Sequence, residues 1–273
     1  MNLLEQAEAD EFFLEKKYRE YEINNHKYKI YDSSVGENCI LFIPMIKEIN
    51  ILYVPLLKYF EKHHRVVLYE PNVSRSEYFG VVKRSDEINN ILQILKLKKV
   101  NLVAWSDTCA TAYYYAKQFS ENCTSITFLG IAPTYRLPQP YHLLVGLLHK
   151  FPMEYLMPSI LSSNLLSVCL GGTDVKYSWL AGKSSKIPSF TRLLKFSIIP
   201  NLIDHKVKNK ELKIPTLIVC GAKDFLALPN KSAEVASLIP NSKMEIIHDA
   251  EHFFVYTHHH EVQKIIEKFY TNI

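Results

Sequence analysis

The stretch Val103-Ala104-Trp105-Ser106-Asp107-Thr108-Cys109-Ala110 passes from an apolar strand straight into a helical segment of small and aromatic residues, with Ser106 at the corner. A strand that feeds a helix in this way is one half of a crossover unit, and repeated units of that kind build a parallel sheet. The hydroxyl of Ser106 is thereby expected at the carboxyl end of a strand, where open α/β sheets place their sites.

The same rhythm runs through the chain on either side. Apolar runs at residues 39–43, 65–69, 100–104, 124–129 and 216–220 are each followed by a break. Near-continuous apolarity is what strands buried on both faces show. Ile88, Ile91, Leu92 and Leu95 fall at i, i+3, i+4 and i+7, with Ser85 placed to cap the helix and Asp86 and Glu87 in its first turn. Val262, Ile265, Ile266 and Phe269 repeat that spacing, and both segments predict helices covering the sheet. Residues 1–17 predict an acidic, helical leader. Between Gly130 and Pro215 the rhythm breaks, and Tyr141-His142-Leu143-Leu144-Val145-Gly146-Leu147-Leu148 predicts helices that are not crossovers. The expectation is one α/β domain, a mostly parallel sheet flanked by helices. Residues 1–132 and 214–273 form its core, and residues 133–213 a helical cap insertion.

Composition narrows the function. The chain of 273 residues is 48% hydrophobic and 22% charged, which excludes a disordered or fibrous protein. Its net charge of +4 is spread among acids, and the densest basic stretch, residues 206–213, is interrupted by apolar residues and Glu211, so no nucleic-acid partner is expected. The five cysteines form no CxxC pair and mostly sit in apolar runs, as buried free thiols of a reducing compartment do. Residues 1–17 carry five acids and no window reaches 18 apolar residues. A cytoplasmic protein without stable membrane association, monomeric or homodimeric, is expected. Glycine is scarce, at 8 of 273 residues, under half of the roughly 7% average usage.

Ala104-Trp105-Ser106-Asp107-Thr108 has the form small-x-Ser-x-small, and here the chain resembles the α/β-hydrolase fold family, whose nucleophile elbow has that pattern. Ile214-Pro215-Thr216-Leu217-Ile218-Val219-Cys220-Gly221-Ala222-Lys223-Asp224 resembles the family's strand that ends in an acid. Met244-Glu245-Ile246-Ile247-His248-Asp249-Ala250-Glu251-His252-Phe253-Phe254 resembles the strand and loop that deliver its histidine. The order Ser106, Asp224, His252 is the family's order, and each follows a predicted strand. The resemblance covers roughly residues 27–130 and 214–271.

The resemblance implies a serine hydrolase acting on an ester or thioester of a small or acyl/aromatic substrate. Ser106 would be the nucleophile, His252 the base and Asp224 its orienter, because a serine hydroxyl near neutral pH is too weak a nucleophile alone. Backbone N–H groups of Ile46 and Asp107 would hold the oxyanion, Met45 would meet substrate, and Trp105 would either line the pocket or fill the space beneath the cap. No metal or redox cofactor is called for. Family glycines are replaced at Met45, Ala104, Thr108, Cys109 and Glu251, whereas Gly221 is kept. An acid after the nucleophile also occurs in hydrolases of amino-acid esters with the pattern Gly-Trp-Ser-Asp-Gly-Gly, so Asp107 is a candidate partner for a substrate ammonium group. It would otherwise have to point away or meet a cation. Two other readings stay open. The same three residues can serve C–C bond cleavage, lyase or cyclase chemistry, or the fold can be a binding protein using an old pocket.

The remaining polar clusters read as structural. His248 falls inside a predicted strand, and Asp249 is too close in sequence to His252 to reach its far ring nitrogen. His63-His64 end a helix. His258-His259-His260 open one, with side chains that diverge. Tyr113-Tyr114-Tyr115 pack a helix on the sheet, Glu70-Pro71-Asn72-Val73-Ser74-Arg75-Ser76 supports the fold, and the cap's apolar residues face either substrate or the cap's own core.

Overall fold

A computed structural model describes residues 3–23, 26–45, 47–71, 81–133 and 212–273. Ile46, Cys169, residues 72–76 and all but the first and last two residues of the expected cap lie outside the described residues.

Helix α1 (Leu3–Lys17) precedes strands β1 (Arg19–Ile23), β2 (His26–Asp32) and β3 (Cys39–Ile43). Then come α2 (Val54–Phe60), β4 (Arg65–Tyr69), α3 (Val81–Ile94), β5 (Val100–Trp105), α4 (Thr108–Gln118) and β6 (Cys123–Leu129). The chain ends with β7 (Thr216–Gly221), α5 (Pro229–Leu238), β8 (Ser242–Ile247), α6 (Phe254–Thr257) and α7 (His259–Tyr270). Among the described residues eight strands form one sheet in the order β1-β2-β4-β3-β5-β6-β7-β8. β2 is antiparallel to β1 and β4, and every other neighbouring pair is parallel.

Every residue of β3, β5 and β7 is buried, which is why these runs read as continuous apolarity. Strand alternation divides them between two cores. Phe42, Val103 and Trp105 pack with α2 and α7, while Leu41, Ile43, Leu102 and Ala104 pack with α3 and α4. The outer strands differ: β1 exposes Arg19, Glu20 and Glu22, and β8 exposes Lys243 and Glu245. Charge on an edge strand disfavours pairing with another chain.

Three local expectations are corrected. Ser85 does not cap its helix: α3 begins at Val81, and Val81, Arg84, Ser85, Ile88, Ile91 and Leu92 are all buried, so the inward face runs a full turn further back. His248 is not in a strand, because β8 stops at Ile247 and His248 is exposed. The rings of His259 and His260 do not diverge but lie 4.1 Å apart at the start of α7. His63 and His64 follow α2, their N–H groups donating to the Phe60 carbonyl. Four cysteines, Cys39, Cys109, Cys123 and Cys220, are buried and free. Among the described residues no helix is long and apolar enough to cross a membrane.

Parallel strands present their carboxyl ends at one edge. β5, β7 and β8 deliver Ser106, Asp224 and His252 there, each within a few residues of its strand end.

Candidate active site

Ser106 occupies the turn between β5 and α4 with φ of +56°, a left-handed conformation uncommon for a residue with a side chain. Such strain persists only where surrounding bonds hold it. Here the Ser106 N–H donates to the Leu129 carbonyl at 2.9 Å, extending the β5–β6 ladder one residue past the strand. The Cys109 N–H closes the turn on the Ser106 carbonyl at 3.0 Å.

The residues standing where the family has glycine take part in this turn. The Thr108 hydroxyl donates to the Trp105 carbonyl at 2.8 Å and accepts from the Trp105 N–H at 2.9 Å. The Cys109 thiol donates to the Ala104 carbonyl at 3.4 Å. Outside glycine, positive φ among the described residues occurs at Ser34, Lys96, Ser106 and Asn241, so Met45, Ala104, Thr108, Cys109 and Glu251 sit in backbone conformations that side chains tolerate.

His252 is fully buried and joins the other two groups. Its Nε2 lies 2.8 Å from Ser106 Oγ, and its Nδ1 lies 2.8 Å from Asp224 Oδ2. The other Asp224 oxygen accepts from the N–H groups of Leu226 at 3.0 Å and Ala227 at 2.8 Å. With both oxygens engaged, the carboxylate cannot rotate away from the ring without losing hydrogen bonds. Trp105 Nε1 donates to the His252 carbonyl at 3.0 Å, and its ring lies 5.1 Å from the imidazole.

Two glycines allow this assembly. A Cβ on Gly221 would come within 2.2 Å of the Ala250 carbonyl oxygen, so only glycine lets the end of β7 pass the histidine loop. Gly130, at φ +72°, lies where a Cβ would meet Asp224 Oδ2 at 3.4 Å and His252 Cε1 at 3.6 Å. Gly130 carries no sequence signal beyond being a glycine after a strand.

The other candidates fall as follows. Asp107 meets a cation: Arg84 Nη1 donates to its Oδ2 at 3.1 Å, and both side chains are buried. That carboxylate is held by an internal partner rather than presented to a substrate ammonium group, which corrects that expectation. Arg84 belongs to no motif, and its only mark in the sequence is its place four residues before Ile88 on an otherwise inward helix face. Met45 and Trp105 are buried in one core beneath the histidine loop, at 7% and 1% exposure. Ile46 is outside the described residues. Asp249 is exposed and pairs with Lys223 at 3.0 Å, which holds its carboxyl below the usual range, so it has no part in orienting His252. Tyr53 is also buried nearby, its hydroxyl donating to the Ile43 carbonyl at 3.1 Å, and burial raises its phenol pKa. Among the described residues no group of three or more His, Cys, Asp or Glu side chains is arranged to hold a metal ion.

No protein-family model and no curated protein matches the chain. Solved structures do. A hydrolase from Oleispira antarctica is 20% identical, with a TM-score of 0.73 over 89% of this chain and 94% of its own. A meta-cleavage product hydrolase from Pseudomonas fluorescens IP01 is 17% identical, with a TM-score of 0.73 over 93% of this chain and 97% of its own. An α/β-hydrolase enzyme from a Medee basin deep-sea metagenome library is 12% identical, with a TM-score of 0.76 over 93% and 97%. The chain has the α/β-hydrolase fold.

Proposed function

We propose that the protein is a serine hydrolase that cleaves an ester or thioester of a small or acyl/aromatic substrate through an acyl-enzyme. The observation that carries this reading is the unbroken chain Ser106 Oγ, His252 Nε2, His252 Nδ1, Asp224 Oδ2, with 2.8 Å at each junction. In that arrangement Nε2 accepts the hydroxyl proton as Ser106 Oγ bonds to the acyl carbon, and Asp224 stabilises the resulting imidazolium. The oxyanion is received by the N–H groups of Ile46 and Asp107, the latter at the start of α4, where the helix dipole favours negative charge. Collapse breaks the carbon–oxygen or carbon–sulfur bond, and the imidazolium protonates the leaving alcohol or thiol. A water, activated by His252, then releases the acid and restores Ser106. Met45 and Trp105 are buried in the core at 7% and 1% exposure, and Trp105 acts here on His252, its ring 5.1 Å from the imidazole.

A fluorophosphonate probe tests the reading. Covalent labelling of Ser106 in the wild type, absent in Ser106→Ala, is expected. An unlabelled, folded wild type overturns it in favour of a binding protein. The likeness to a meta-cleavage product hydrolase keeps C–C bond cleavage as the second reading. In its acid–base form, a Ser106→Ala variant would keep turnover on the true substrate.

A further inference from the structure

We infer that Arg84 is a positioning residue that ties together the two backbone segments expected to form the oxyanion hole and neutralises the carboxylate beside it. This rests on the hydrolase reading above.

The guanidinium reaches both segments at once. Nη1 donates to Asp107 Oδ2 at 3.1 Å, and Nη2 donates to the Pro44 carbonyl at 2.7 Å. Asp107 directly follows Ser106 in the turn, and Pro44 directly follows β3, leading into Met45 and Ile46. One side chain from α3 therefore bridges the residue after Ser106 and the end of β3, two positions before Ile46 in the chain. An oxyanion hole works only if its donors are already aimed where charge develops, since reorganising them costs part of the barrier reduction. In this chain both segments lack the family's glycines, and the bridge supplies a fixed spacing between them.

Charge gives a second reason. Asp107 is 4% exposed and adjoins the nucleophile in sequence. A carboxylate there without a cation would oppose a developing oxyanion through a poorly screening medium. Arg84, 6% exposed, removes that opposition. Lysine could supply the charge but not the planar fork that serves two acceptors in different segments. A bridge that served only to join α3 to α4 would not require the second acceptor, the Pro44 carbonyl at the end of β3.

The test measures steady-state hydrolysis of p-nitrophenyl butyrate, with each preparation titrated by a fluorophosphonate probe so that kcat is expressed per reactive Ser106. Arg84→Met is expected to lower kcat on the order of 10- to 100-fold, approaching the loss of one oxyanion donor, with KM little changed. Arg84→Lys should recover part of the loss. Adding Asp107→Asn to Arg84→Met should also recover part, because it removes the carboxylate that has lost its cation, yet stay below wild type for want of the bridge. Wild-type kcat per titrated site in Arg84→Met overturns the inference, even if the melting temperature falls, since that pattern belongs to a purely structural ion pair. Should Arg84→Met not fold, Arg84→Lys decides: reduced kcat per site supports the inference and an unchanged value overturns it. A wild type that the probe does not label overturns the hydrolase reading and this inference with it, which distinguishes that failure from one confined to Arg84.

Discussion

The indole N–H of Trp105 donates to the backbone carbonyl of His252, so the residue before the candidate nucleophile holds the loop that carries the candidate base. The two are 147 positions apart in sequence, and the bond is buried. It links the C-terminal end of β5 to the loop after β8, across the strands that lie between them in the sheet.

Trp105→Phe keeps most of the ring and removes that donor, leaving a buried carbonyl without its partner. The expected cost is about 1–3 kcal/mol of stability, read from the urea midpoint. Esterase kcat should fall by more than the folded fraction explains, because the imidazole loses its tether. Unchanged kcat at full folding would show that the loop is held by other contacts.

Asp224→Asn should leave the fold intact while reducing kcat by roughly 10⁴. The side-chain oxygen of the asparagine continues to accept from the Leu226 and Ala227 amides, so its NH₂ faces His252 Nδ1. Nδ1 must then accept, the ring proton moves to Nε2, and the nitrogen facing Ser106 can no longer take a proton. Far-ultraviolet circular dichroism and ester kinetics on one sample check both halves.

Gly221→Ala is predicted to destabilise the protein by ~3 kcal/mol, because the new methyl carbon would sit 2.2 Å from the Ala250 carbonyl oxygen and backbone must move to accept it. The shift carries the histidine loop, so Ser106 labelling should slow together with the loss in denaturant midpoint. A Gly221→Ala variant as stable as wild type contradicts the close approach.

Burial raises the thiol pKa of Cys39 and Cys123 to about 12 and that of Cys220 to about 11. At pH ~8 almost no thiolate exists at these positions, and the thiolate is the reactive form. Peptide mapping after brief alkylation of the native protein should find all three unmodified, and alkylation in urea should find them modified.

Asp32 is partly buried, which opposes ionisation, yet its hydrogen bonds from Arg65 and Ser34 outweigh burial and hold its carboxyl below the ordinary 3.8. A folded-state pKa below the unfolded one gives stability that is present above pH ~4 and lost as pH falls through the folded value. Asp32→Asn should therefore lower the unfolding free energy near neutral pH, by under about 1 kcal/mol for a pair that solvent still screens. The difference from wild type should shrink in more acid solution.

How much of this was legible beforehand follows from what each feature depends on. The strands around residues 39–43, 100–104 and 216–220 were legible because burial on both faces leaves a run of apolar residues, whatever the strand's neighbours are. The order of Ser106, Asp224 and His252, each following a strand, was legible for the same reason together with the family resemblance. The start of α3 is not legible, because Ser85 has the chemistry of a cap and Arg84 that of an exposed residue, while packing buries both on the inward face. The antiparallel β1 and β2 were not assigned: strands exposed on one face carry weaker apolar patterning.

By itself the sequence determined the alternation of strands and helices, and with it the edge of the sheet at which Ser106, Asp224 and His252 emerge. Periodicity records which face of an element is buried, a property of the element alone. Only the tertiary structure decided that Arg84 meets both Asp107 and Pro44, that Gly130 backs the acid–histidine pair and that Trp105 tethers His252. Each of these is a contact between elements distant in sequence, and its existence depends on how helices and strands pack together in three dimensions, for which a local pattern holds no term.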